Sequence, residues 1–256
     1  MLQRSLLLAF VLAAGAPGPA ASQELPDAER YHVRGEYVWW WPKLGSEIRK
    51  GDAGTITNVT DDLGVEDERT WELRGTLRAG ASHKLFGSYT TLDYGGDITD
   101  HPTVRYGSQT FFPSTRLVTS MKGGYYGAQY EWDFAKGQWG FMGAVLGARL
   151  LDLDVLLVAP VEARREQESV RVWRPVVGVS GRGYLGKRVS VAGTLAGLTV
   201  GSRGYAIEFE ASVQIHLFDR VGLKGGYQSF KVKDDTGSTF IELRNNGAFA
   251  GIELSL

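Results

Sequence analysis

The sequence predicts an all-β fold, a closed antiparallel transmembrane β-barrel of about ten strands, with eight as the alternative. Three observations point to it. The segment Ile207 to Leu217 alternates apolar and polar residues over eleven positions. Successive side chains of a strand point to opposite faces, so Ile207, Phe209, Ala211, Val213, Ile215 and Leu217 share one face. Glu208, Glu210, Ser212, Gln214 and His216 share the other. A soluble sandwich buries the apolar face, whereas a barrel in a bilayer turns it toward lipid and keeps the polar face in the lumen. Secondly, no apolar run after residue 22 reaches the roughly 20 residues that a membrane helix needs. Thirdly, the links between candidate strands alternate between short and long.

The elements follow in order along the chain. Residues 1–22 read as a secretory signal peptide: Arg4 gives the positive region, Leu6 to Ala14 the apolar region, and Ala20-Ala21-Ser22 the cleavage site. The mature domain then spans 23–256. The first strand sets Tyr31, Val33, Tyr37, Trp39 and Trp41 against His32, Arg34 and Glu36. The second sets Trp71, Leu73, Leu77 and Ala79 against Glu72, Arg74, Thr76 and Arg78, and a third runs near Lys84 to Tyr94. The fourth, near Arg116 to Trp132, opposes Tyr126, Ala128, Tyr130 and Trp132 to Tyr125, Gln129 and Glu131. The fifth (Trp139 to Asp152) carries Arg149, and the sixth (Val170 to Tyr184) carries Ser180 and Arg182. The seventh covers about Arg188 to Val200, and the eighth is the Ile207 segment. The ninth, Val221 to Lys231, opposes Lys224 and Gln228 to Leu223 and Tyr227. The tenth opposes Glu253 and Ser255 to Ile252, Leu254 and Leu256.

Links after even strands are short (Gly80 to His83, Ala135 to Gln138, Leu185 to Lys187, Phe218 to Arg220). Those after odd strands are mostly longer, Pro42 to Arg69, Gly95 to Thr115 and Leu153 to Ser169, while the last two, Gly201 to Gly204 and Lys233 to Ser238, are short. Short periplasmic turns with longer outer loops are the asymmetry of an outer-membrane barrel. An open sheet edge would strand backbone groups in hydrocarbon, so the barrel closes. Trp39, Trp41, Tyr126, Tyr130, Trp132 and Tyr227 lie on the outward face near strand ends, as an aromatic girdle at the lipid headgroups requires.

These features resemble small bacterial outer-membrane β-barrel proteins of the OmpA/OmpW-like kind. The terminal strand Ala248 to Leu256 is similar to the signal that the barrel assembly machinery reads, with Leu256 where phenylalanine is usual. The resemblance implies residence in the cell outer membrane and contact with its lipid and lipopolysaccharide; a monomer is favoured. It implies no activity.

Function is read from the inner wall. Arg34, Glu36, Glu72, Arg74, Arg78, Glu131, Arg149, Arg182, Glu208, Glu210, Lys224 and Glu253 fall there, six cations and six anions, with His216 beside them. A barrel of this size is mostly filled by its own side chains, and enclosed charges need partners. The set therefore reads as a self-neutralising network in a non-enzymatic barrel with a structural or surface-interaction role. The alternative is a narrow channel or a carrier of small or hydrophobic molecules. A third reading is a rim hydrolase built on His101 with Asp93, Asp97 and Asp100. The acidic run Asp61, Asp62, Glu66, Asp67 and Glu68 reads as a solvated loop, with a Ca²⁺ site as its alternative. No cofactor, resident metal or catalytic residue is assigned. The 28 Lys and Arg balance 29 Asp and Glu, which gives no reason to expect nucleic-acid binding.

Overall fold

The structure is a computed structural model that describes residues 31–199, 201, 204–218 and 220–256. The expected signal peptide, 1–22, and residues 23–30 lie outside the described residues. So do parts of two short links, at 200–203 and Asp219.

Thirteen strands follow one another among the described residues: β1 (Val33–Lys50), β2 (Thr57–Asn58), β3 (Thr70–Ala79), β4 (His83–Ile98), β5 (Val104–Tyr106), β6 (Gln109–Phe111) and β7 (Leu117–Gly137). Then come β8 (Gly140–Ala159), β9 (Arg164–Tyr184), β10 (Val189–Thr199), β11 (Gly204–His216), β12 (Val221–Asp235) and β13 (Thr239–Ser255). Ten of them form the wall, in the order β1, β3, β4, β7 to β13, each antiparallel to the next, and β13 pairs back onto β1 to close the ring. That seam runs from Arg34↔Ser255 to Lys50↔Thr239 without a slip. The wall therefore has ten strands and not the alternative eight. The other three strands lie in outer loops. β2 pairs with the end of β1, and β5 and β6 form a hairpin of their own.

The strands run further than expected, which corrects the predicted boundaries. The link placed at Leu153 to Ser169 is mostly strand: β8 and β9 pair up to Ala159↔Arg164, leaving residues 160–163 as the turn. The strand persists because the alternation persists: Leu151, Leu153, Val155, Leu157 and Ala159 are buried, while Asp152 and Asp154 point outward. The polarity of the two faces has exchanged. On β1 the exchange is complete within one strand. Its outward residues run Val33, Tyr37, Trp39, Trp41, then Lys43 and Glu47; its inward ones run Arg34, Glu36, Val38, Trp40, then Leu44 and Ile48. The first half of each such strand suits lipid outside and charge inside; the second half suits water outside and an apolar core inside.

That upper core is built like the interior of a soluble protein. Leu92, Leu117, Met121, Leu153, Val155, Leu157 and Leu243 come from the wall. The two long outer links, 51–69 and 99–116, fold inward to complete it with Val59, Leu63, Val65, Val104, Tyr106 and Phe111. Backbone bonds fasten the hairpin to its neighbours, Thr55 N–H to Arg105 O at 2.9 Å and Gly107 N–H to Lys50 O at 3.0 Å. Burial pushes the Tyr106 phenol up, which keeps it neutral in this setting. Close packing also explains two sequence breaks. Pro42 sits where β1 has lost β3 as a partner and not yet gained β2, so its missing N–H costs no ladder bond. Opposite it stands Gly247, where a Cβ would lie 2.0 Å from the Trp41 carbonyl oxygen.

Candidate functional site: a charged chamber inside the barrel

The lower half of the lumen encloses a cavity of about 180 Å³. Three connected groups of charges line it. The central one is organised by Arg74 on β3. Its Nη1 lies 2.7 Å from Glu210 Oε2 on β11, four strands away around the ring, and its Nη2 lies 2.8 Å from Glu72 Oε2. The same Nη2 donates to Gln228, which in turn donates to Glu72 at 3.2 Å. Lys224 completes the group, with Nζ 2.8 Å from Glu210 and 3.1 Å from Glu36. Two cations thus face three carboxylates at the centre of the lumen.

The second group is a fork. Arg149 donates through Nε and Nη2 to both oxygens of Glu208, at 2.7 and 2.6 Å, and through Nη2 to Gln129 at 2.6 Å. The Tyr125 hydroxyl donates to Glu208 at 2.5 Å. Such a paired arrangement fixes direction as well as charge. The third group lies nearer the periplasmic mouth, where Lys84 Nζ reaches Glu131 at 2.7 Å and Asp133 at 3.0 Å, with Arg78 3.8 Å from Asp133. At the mouth itself Arg34 pairs with Glu253 at 3.2 Å and lies over the Tyr31 ring at 3.8 Å. The opposite end is roofed by rings: Tyr125 stacks on Phe230 at 4.3 Å between centroids, and Trp40 meets Phe230 at 5.7 Å. Above this roof begins the apolar core.

Of the thirteen expected lumen residues, the structure places Arg34, Glu36, Glu72, Arg74, Arg78, Glu131, Arg149, Glu208, Glu210, Lys224 and Glu253 in these inward pairings. Arg182 lines the cavity. His216 ends β11 at the periplasmic rim, outside the cavity lining. Lys84 and Asp133 were missing from the expected set. The first shares its face with the apolar Phe86, which blurs the alternation of β4, and the second sits at the register shift between Asp133 and Ala135 of β7. They add one charge of each sign to that set, making seven of each, and a further inward pair it did not include, Arg174 with Asp234, joins β9 to β12.

The expected girdle residues all face outward, at two levels. Tyr130 and Trp132 lie near the periplasmic turns. Trp39, Trp41, Tyr126 and Tyr227 lie in mid-strand, because the strands continue above the membrane, and not at strand ends as expected. Tyr37, Trp71 and Tyr89 extend the upper level; Tyr89 stands 5.5 Å from Trp71 and 4.9 Å from Tyr126.

The hydrolase constellation is not assembled. His101 is buried, its Nδ1 2.7 Å from the Pro102 carbonyl and its Nε2 3.1 Å from the Thr115 carbonyl. Asp97 is turned to Arg116 and Asp93 to Lys122. In the acidic loop, Asp62 accepts from the Asn58 N–H and Asp67 from the Leu44 N–H, both at 2.8 Å, so these carboxylates brace the loop. Among the described residues no three acidic or His side chains converge on a point that would hold a cation.

Comparison with solved structures fits this architecture. The outer membrane protease OmpT of Escherichia coli superposes with a TM-score of 0.59 at 7% identity, over 88% of this chain and 97% of that one. The chain has the fold of an outer-membrane β-barrel. Weaker likenesses include Neisserial surface protein A (TM-score 0.36, 11% identity, 88% and 97% covered) and the toluene transporter TodX of Pseudomonas putida (TM-score 0.37, 8% identity, 88% and 90% covered). At such identities the likeness concerns the fold alone. No protein-family model matches the chain, and no curated protein sequence does.

Proposed function

We propose that this barrel is a non-enzymatic protein of the outer membrane, of the OmpA/OmpW-like kind, whose lumen is sealed and whose role is structural or surface-directed. The observation that carries the reading is the double filling of the lumen. Charge pairs cross the membrane half, and a packed apolar core with two inward-folded loops occupies the outer half. Neither device resembles an open path for ions: the first neutralises itself, and the second excludes water. The enclosure of His101 between two backbone carbonyls supports the non-enzymatic part.

Export by a cleaved signal peptide and delivery by the assembly machinery through the β13 strand belong to the same proposal. So do contact with lipid and lipopolysaccharide along the outward apolar face, and a monomeric state. Planar-bilayer recording of the refolded protein tests it. The sealed barrel gives no unitary conductance; steady openings would replace this reading with the narrow-channel one.

A further inference from the structure

We infer that the periplasmic rim of the barrel is a docking surface for anionic phospholipid headgroups, an inference that rests on the outer-membrane reading above. The lipid-facing run of β1 ends between Trp41 and Lys43, and it begins at Val33, eight residue steps below Trp41. At about 3.3 Å per residue and a tilt of about 40°, that run spans roughly 20 Å of membrane normal. An outer-membrane barrel presents an apolar band of about 25 Å. The upper end is closed off by charge, so the missing height lies in the periplasmic turns.

Those turns carry the side chains that would supply it. Trp139 is 72% exposed, Leu185 70% and Phe218 73%, one in each of three separate turns. A tip of this kind in open water is unfavourable, whereas Trp in particular favours the headgroup level. The same turns carry Lys136, Lys187, Arg188 and Arg220 against a single carboxylate, Asp219. Lys136 is partly occupied, donating to Ser82 Oγ at 2.6 Å, while Lys187, Arg188 and Arg220 lie exposed. One loop of the opposite rim reverses the sign: the 51–69 link holds six carboxylates against Arg69. An apolar tip flanked by cations matches a phosphate layer above acyl chains, and each cation near such a surface is worth about fivefold in binding.

The test refolds the full protein into vesicles of phosphatidylcholine alone or mixed with phosphatidylglycerol. Heat-modifiable mobility then gives the folding equilibrium in each bilayer. The anionic lipid should favour the folded state by about tenfold or more, and molar salt should remove the effect. Replacing Lys187, Arg188 and Arg220 with Gln should leave folding in phosphatidylcholine unchanged and cut the phosphatidylglycerol effect below about threefold. The control Asp61→Asn with Asp62→Asn, on the opposite rim, should keep it whole. A triple variant that keeps the full effect overturns the inference, as does a wild type that ignores the lipid charge while folding in both bilayers. A chain that shows no heat-modifiable band in either lipid sinks the barrel reading and the inference with it.

Discussion

Arg74 is the residue on which the inner wall turns. Its guanidinium sits among Glu36, Glu72 and Glu210, with Lys224 sharing the load at Glu36 and Glu210. Breaking a buried pair by removing one partner leaves an uncompensated ion and costs about 3–5 kcal/mol. Arg74→Met is therefore expected to lower stability by that order, measured by equilibrium unfolding in bilayers. Arg74→Lys should recover only part, because a single ammonium replaces a fork that reaches Glu210 and Glu72 from two nitrogens. Adding Glu210→Gln to Arg74→Met should be less harmful than the two separate losses summed, since the surplus negative charge falls. Gly247 makes a different kind of demand. A methyl there collides with the Trp41 carbonyl, so Gly247→Ala is expected to cost about 1–3 kcal/mol although it adds one carbon. An unfolding midpoint equal to wild type would show that the seam beside Pro42 gives way instead.

At the scale of elements, the β5–β6 hairpin is the piece that folds into the outer mouth. Phe111 is buried in the core and its neighbour Phe112 is half exposed, 1% against 51%. Phe111→Ala should cost about 3–5 kcal/mol and Phe112→Ala less than about 1 kcal/mol, by equilibrium unfolding. Equal losses would mean that the hairpin does not insert as described. This hairpin also marks where the sequence stops being legible. The ten wall strands are readable because most of their length alternates between two solvents, as Ile207 to Leu217 does. The loops are not, because Val59, Leu63 and Tyr106 gain their burial from strands far away in the chain, and nothing local announces it. The charged wall is readable by parity alone. The partners are not, since Arg74 meets Glu210 across the lumen and no spacing encodes a contact between β3 and β11. Parity also failed locally at Lys84 and at Asp133, next to the register shift.

The whole molecule is two stacked barrels sharing one wall. Below, lipid outside meets ion pairs inside; above, water outside meets a largely apolar core, with the inward pair Arg174–Asp234 beside it. Ion pairs outside the upper half, Asp93 with Lys122 and Asp152 with Arg171, are what a surface in water tolerates at little gain. The reversal between Trp41 and Lys43 sets how deep the barrel sits. The chain has no cysteine, so single cysteines introduced along β1 give unique labels. Brominated-lipid quenching of a fluorophore at Tyr37→Cys, Val38→Cys, Trp39→Cys, Lys43→Cys and Glu47→Cys then reads the membrane contact of each position. The account predicts strong quenching at 37 and 39 and little at 38, 43 or 47. Quenching at 43 and 47 as strong as at 37, or at inward-facing 38, would contradict it.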